Sequence, residues 1–198
     1  MTDDIRRILS EQWNTVYGYC SQDRNELYDL AVMVKDLAPE RVLEIGVCEG
    51  GWLWCMSPFF APGATIIGID SLENPVIRIE NLRSVIARLG ATHPTMLIED
   101  ISQSEESLNR VKDVLGGHPL DLLHIDGGHE EERARSDWER YSPLVRPGGI
   151  VAMHDIRGVG YKEQEVDVLW AEIEADKSLI TRVFSHRENQ MGIGVVIM

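Results

Sequence analysis

The chain has 198 residues, 43% of them hydrophobic and 26% charged, with a formal net charge of −14. Such a length suits a single full-sized core of ordinary globular composition. The acidic balance argues against a nucleic-acid or anionic-membrane surface, which needs clustered Lys and Arg, but it leaves room for small anionic ligands held by backbone amides.

Residues 1–39 read as a helical cap. Ile5, Ile8, Leu9 and Trp13 fall on one helix face, and Leu27, Leu30, Val34 and Leu37 on another, closed by Pro39. Such helices pack on a core or form a lid over a ligand. From residue 40 to 198 the pattern becomes short apolar runs alternating with helical stretches. The runs are "RVLEIG" (41–46), "TIIGID" (65–70), "TMLIED" (95–100), "LDLLHID" (120–126) and "GIVAMHD" (149–155). Between them lie helix-like segments at 74–90, 104–117 and 130–145. This alternation predicts an α/β fold whose parallel sheet is covered on both faces. The tail differs: an amphipathic helix through Val166, Leu169, Trp170 and Ile173 precedes "TRVFSH" and "GIGVVIM", joined by the polar turn "RENQM". That arrangement predicts a C-terminal antiparallel hairpin.

Cys20, Cys48 and Cys55 are odd in number and lack a C-x-x-C pair, which argues against a disulfide framework or a zinc site and points to a reducing, cytoplasmic setting. The N-terminal "MTDDIRRILSEQW" has no apolar signal core, and no run reaches a membrane-spanning length.

The turn "VLEIGVCEGGW" follows the first strand and opens a helix, so Gly46, Gly50 and Gly51 let the backbone approach a ligand closely. Its G-x-x-x-G-G spacing departs from the dinucleotide fingerprint G-x-G-x-x-G. Asp70, with Ser71 behind it, ends the second strand, where an acid can accept both ribose hydroxyls or cap the next turn. Glu44 lies inside the first strand, and a carboxylate buried there calls for several donors or for a cation, which a ligand ammonium would supply. Asp100 and Ile101 end the third strand, near where an adenine would lie, though a plain loop acid fits Asp100 as well. A ribose, an adenine and an ammonium together describe S-adenosylmethionine.

Asp126 and Asp155 end the fourth and fifth strands. Ligand crevices in open α/β sheets lie beyond these strand ends, so neighbouring strands would bring the two acids together. Their mutual repulsion makes a divalent cation a sensible third member. His129, past Gly127 and Gly128, is placed to take a hydroxyl proton as a neutral imidazole near pH 7, or to cap the following helix. His124 shares a strand face with Leu122 and Asp126 and reads as a core histidine.

From about residue 40 onward the chain resembles class I S-adenosylmethionine-dependent methyltransferases. Glu44, Gly46, Gly50 and Gly51 resemble their cofactor turn. "DLLHIDGGHEEERARSDWERYSPLVRPGGIVAMHDI" is similar to the branch of small-molecule and sugar O-methyltransferases and cephalosporin-hydroxylase-associated proteins. The resemblance implies a Rossmann-like, doubly wound, mostly parallel seven-stranded sheet whose terminal hairpin supplies the antiparallel strand. It implies methyl transfer to a small-molecule hydroxyl, for which Asp126 and His129 are the catalytic candidates that the strand-end reading supplies. It also implies a divalent metal, usually magnesium, on Asp126, Asp155 and a third position, His154. Relatives often carry an acid at that third position, and imidazole favours softer ions than Mg²⁺. Adjacent strand residues face opposite sides, so His154 and Asp155 share a site only where the strand end relaxes. No nucleic-acid or membrane partner is expected, and homo-oligomerisation stays open. A nicotinamide-dependent oxidoreductase and a non-catalytic nucleoside-binding module are the competing readings. The glycine spacing and the missing Tyr-x-x-x-Lys weigh against the first, and the I-D-G-G-H and H-D strand ends against the second.

Overall fold

The computed structural model describes residues 2–15, 20–75, 77–158, 165–186 and 191–198. Two helices come first, α1 (Thr2–Thr15) and α2 (Arg24–Leu37). Asp23 starts α2 by accepting the backbone N–H groups of Asn25 and Glu26 at 2.8 and 3.4 Å. Ala38, in the left-handed conformation with φ 45°, ends it just before Pro39.

Seven strands follow: β1 (Arg41–Ile45), β2 (Thr65–Asp70), β3 (Thr95–Glu99), β4 (Leu120–Ile125), β5 (Val145–His154), β6 (Ile180–Phe184) and β7 (Ile193–Ile197). They form one sheet in the order β3-β2-β1-β4-β5-β7-β6. The strands β1 to β5 pair in parallel, whereas β7 runs antiparallel to both β5 and β6. The expected terminal hairpin is therefore present, with its second strand inserted beside β5; residues 187–190 of the expected "RENQM" turn lie outside the described residues. The remaining helices are α3 (Gly51–Met56), α4 (Ile79–Leu89), α5 (Glu105–Leu115), α6 (Glu131–Tyr141) and α7 (Val166–Ala175). Among the described residues, no helix is long and apolar enough to cross a membrane.

Alternation along the strands divides the core into two layers. Val42, Leu122, Ala152 and Val195 pack with α1 to α4, and Leu43, Leu123, Val151 and Val196 pack with α5 to α7. Glu44, His124 and His154 carry the parity of the first set, so their side chains face the N-terminal helices. The strand order reverses between β1 and β4, and the main crevice lies at that switch point.

Two boundaries differ from expectation. The helix expected over 74–90 begins only at Ile79. Pro75 disfavours a helical residue before it, and Glu49 Oε1 takes both the Arg78 backbone N–H and its Nε, at 3.2 and 2.9 Å. The strand expected from 149 begins at Val145, with a register shift between Leu120 and Leu122 that absorbs the extra residues.

Candidate functional site

The first βα turn is built by close backbone approach. Gly46 has φ 85°, and a Cβ there would run into the carbonyl of Asp126. Gly50, with φ 83°, caps α3, and a Cβ would meet Val85 Cγ1 at 2.7 Å, so this glycine sets the spacing to α4. Gly51 begins α3. Cys48 also adopts a left-handed φ of 52°, and its N–H donates to Asp70 Oδ2 at 2.7 Å. Asp70 Oδ1 accepts the Leu72 N–H at 2.8 Å. Asp70 thus ties the turn to the end of β2, using one lone pair of each oxygen, and still lines the cavity.

A cavity of about 860 Å³ opens beyond the strand ends, within the size range of small-molecule clefts. Its lining includes Glu44, Gly46, Gly51, Asp70, Ser71, Asp100, Ile101, Asp126 and His129. Gly50 stands behind the turn. Asp100 accepts from Ser104 Oγ at 2.5 Å, Ser107 Oγ at 3.1 Å and the Ile101 N–H at 2.8 Å. These bonds hold it below the usual carboxylate range and give it a role in starting α5. Ile101 remains exposed on the cavity wall. Asn74, Pro75 and Ile77, expected in a helix, instead form part of the rim.

The strand-end residues converge. His154 Nδ1 lies 3.1 Å from Asp126 Oδ1 and 3.5 Å from Asp155 Oδ1. His129 Nε2 lies 3.5 Å from Asp155 Oδ2 and 3.8 Å from Asp126 Oδ1. The problem of opposite faces is solved by the backbone: Asp155 has φ 58°, which breaks the alternation just past β5 and turns its carboxyl toward Asp126. A non-glycine residue in that region is strained and persists where its surroundings hold it.

The charges are strongly coupled. Burial opposes ionisation of Asp126, yet the adjacent His154 charge and hydrogen bonds from His129 and His154 outweigh it and hold the carboxyl well below its usual range. Burial likewise opposes a charged His154, but Asp126, Asp155 and Glu26 raise it to about 9. His129 is raised by its hydrogen bond to Asp126, against burial. Asp126 and Asp155 both favour its imidazolium. Asp155 is raised by burial.

Asp126, His154 and Asp155 each offer a ligand atom, all within 4.8 Å of one another, in a mixed oxygen and nitrogen set. This is the trio expected from the sequence, and its donor chemistry fits a divalent ion, with the imidazole favouring a transition metal over Mg²⁺.

Sequence reasoning missed a buried polar chain beside this cluster. Glu44 and His124 are direct partners across β1 and β4, and His124 Nδ1 lies 3.2 Å from Glu44 Oε1. The His124 ring stacks on Trp52, centroids 4.0 Å apart and planes 1° from parallel. Gln22, from the segment before α2, reaches His124 Nε2 at 3.3 Å and Asp126 Oδ2 at 3.0 Å. Burial depresses His124 to about 3, so it is neutral. Burial raises Glu44, as do Asp126 and Asp70. A lone buried histidine two residues before a strand-end acid was the available signal for His124. Gln22 offered none.

Comparison with known proteins adds to this geometry. A family model described as a methyltransferase domain matches residues 43–156. An uncharacterized protein, y4gI of Sinorhizobium fredii, is 23% identical over 159 residues, 78% of this chain. The chain spans only 17% of the length of that curated relative. An O-methyltransferase from Bacillus cereus, solved in complex with S-adenosylhomocysteine (SAH), superimposes with a TM-score of 0.69 at 15% identity, covering 99% of this chain and 91% of that one. TomG of Streptomyces achromogenes, an O-methyltransferase of tomaymycin synthesis solved with S-adenosylmethionine, gives 0.63 at 15% identity, covering 96% and 89%. SAH-bound PaMTH1 from Podospora anserina gives 0.62 at 16%, covering 96% and 86%. At these identities the likeness establishes a shared fold.

Proposed function

Because the chain belongs to the methyltransferase-domain family, we propose that it transfers the methyl group of S-adenosylmethionine to a hydroxyl of a small molecule. The observation that carries this reading is one cavity holding, side by side, a glycine turn, a buried carboxylate with a free oxygen (Glu44) and a His–Asp cluster. The similar folds of O-methyltransferases solved with SAH or S-adenosylmethionine support the choice of donor and of oxygen as acceptor atom.

The bound donor supplies an electrophilic methyl on a sulfonium. Glu44 faces the ammonium of its amino-acid portion, Asp70 and Ser71 the ribose, and Asp100 and Ile101 the adenine side. The close-packed turn at Gly46 lets the backbone approach the donor. Asp126 and His129 face the acceptor: His129 accepts the hydroxyl proton as the acceptor oxygen attacks the methyl, and Asp126 orients His129 and balances its charge. Catalysis then rests chiefly on alignment of the two reacting atoms. Asp126, His154 and Asp155 would hold a divalent ion, which supplies Lewis acidity and a place to fix acceptor oxygens.

The division into a cap of residues 1–39 and a core of residues 40–198 gains support from Gln22, which reaches from the N-terminal segment into the cavity. Acceptor selection belongs to that segment and to the stretch 157–165, of which residues 159–164 lie outside the described residues. Glu165 donates its N–H to the His129 carbonyl at 2.8 Å, so one end of that stretch is tied to the site.

Calorimetric titration with S-adenosylmethionine, SAH and NAD tests the donor. Binding of the two adenosyl ligands is expected, weakened about tenfold by Asp70→Asn, which removes the charge behind the ribose contacts. Binding of NAD alone would overturn the reading. His129→Asn is expected to slow turnover about a hundredfold. Because its neighbouring carboxylates raise His129, the acidic limb of the parent's kcat/KM profile is expected above pH 6.5, the ordinary histidine value. A flat profile from pH 5 to 8 would remove His129 as the base.

A further inference from the structure

We propose that Gln22 is a binding residue for the donor's ammonium group, sharing it with Glu44. The proposal rests on the reading of the cavity as an S-adenosylmethionine site and adds a residue from outside the glycine turn and strand ends. Gln22 is buried and lines the cavity. Its amide nitrogen has two hydrogens, and both are committed: one to Asp126 Oδ2 at 3.0 Å, the other to His124 Nε2 at 3.3 Å. The reversed amide would set its carbonyl oxygen against the Asp126 carboxylate, so the orientation is fixed by charge.

The rest of the chain of bonds follows. His124 Nε2 must accept, so the ring proton sits on Nδ1 and is donated to Glu44 Oε1, 3.2 Å away. Stacking on Trp52 keeps the ring in the plane that allows both contacts. This arrangement leaves two buried oxygens with no partner among the described residues, Gln22 Oε1 and Glu44 Oε2. They belong to the residues that flank the two nitrogens of one imidazole. Buried acceptors left unpaired are costly, and here the site holds a carboxylate oxygen and an amide carbonyl, with no hydrogen left to donate from Gln22. An alkylammonium, with three N–H donors and a positive charge, carries the donors that both acceptors lack. Gln22 thereby plays two parts: its nitrogen orders the His124–Glu44 pair, and its oxygen takes a share of the ligand.

The test compares SAH with 5′-methylthioadenosine, which keeps the adenosine and thioether but lacks the amino-acid group. Gln22→Met keeps length and approximate volume while removing every hydrogen bond. Calorimetry should show SAH bound about tenfold more weakly by the variant and 5′-methylthioadenosine bound within about twofold of the parent. In the parent, the side-chain amide resonances of Gln22 should move on addition of SAH and stay in place with 5′-methylthioadenosine, a readout that needs no variant to fold. Unchanged SAH affinity in Gln22→Met, equal loss of both ligands, or amide signals indifferent to SAH would each overturn the proposal while leaving the donor reading intact. A parent that binds neither ligand would overturn the donor reading itself, and this assignment with it.

Discussion

Asp126→Asn is expected to lower turnover about a thousandfold while the protein stays folded. Asp126 is the shared partner of three side chains in the site. Its Oδ2 accepts from Gln22, its Oδ1 faces His154 at 3.1 Å, and His129 lies 3.8 Å from that same oxygen. An asparagine amide has one oxygen and one nitrogen for these positions, and every group facing them is a donor or a positive imidazole. Either orientation therefore sets N–H groups against each other as long as the imidazoles stay protonated. Loss of the negative charge also lowers His129 and His154 toward neutrality, because that charge helps to raise both. The base would then be easier to deprotonate yet poorly oriented, and misplacement of a reacting group by about 1 Å can cost on the order of a hundredfold. Steady-state kinetics at saturating donor, alongside thermal unfolding of the same preparation, check this. Turnover within tenfold of the parent would remove Asp126 from the chemistry.

What the sequence made legible follows from how parallel strands are buried. Covered on both faces, β1, β2, β4 and β5 read as largely apolar runs, and the polar residues at their ends stand out, so Asp70, Asp126 and Asp155 were visible as strand-end acids. Glu44 stood out for the converse reason, a charge inside such a run. The geometry of His154 and Asp155 was hidden because it depends on one left-handed residue, and aspartate at that φ leaves no compositional mark. The rim at Asn74, Pro75 and Ile77 was hidden because Glu49 holds Arg78, twenty-nine positions later, and so delays the start of α4. Gln22 was invisible for the same reason on a longer scale. Its partners lie 102 and 104 residues away, and nothing local distinguishes it from any polar residue ahead of a helix.

The folded protein is expected to lose about 3 kcal/mol of stability as the pH rises from 6.5 to about 9, through His154 alone. Its folded-state value lies above the ordinary 6.5, so the folded protein holds a proton that the unfolded chain has released. The contribution is complete below pH 6.5, shrinks through this window and is gone above about 9. Denaturant unfolding of the parent and of His154→Gln across the window measures it. Glu44 is also raised, but His154 plays no part in its shift and both proteins retain it, so its effect cancels; Asp155 and His129, which His154 itself shifts, belong to the measured difference. A divalent ion at Asp126, His154 and Asp155 needs the same imidazole neutral, which makes metal and proton competitors. Titration of Co²⁺ or Zn²⁺ at pH 7 is therefore expected to release close to one proton, seen as a dependence of the measured heat on the buffer's ionisation enthalpy. Affinity should rise with pH and level off near 9. Binding without proton release would mean that His154 is no ligand, and an equal pH dependence in parent and His154→Gln would mean that it carries no extra proton in the folded state.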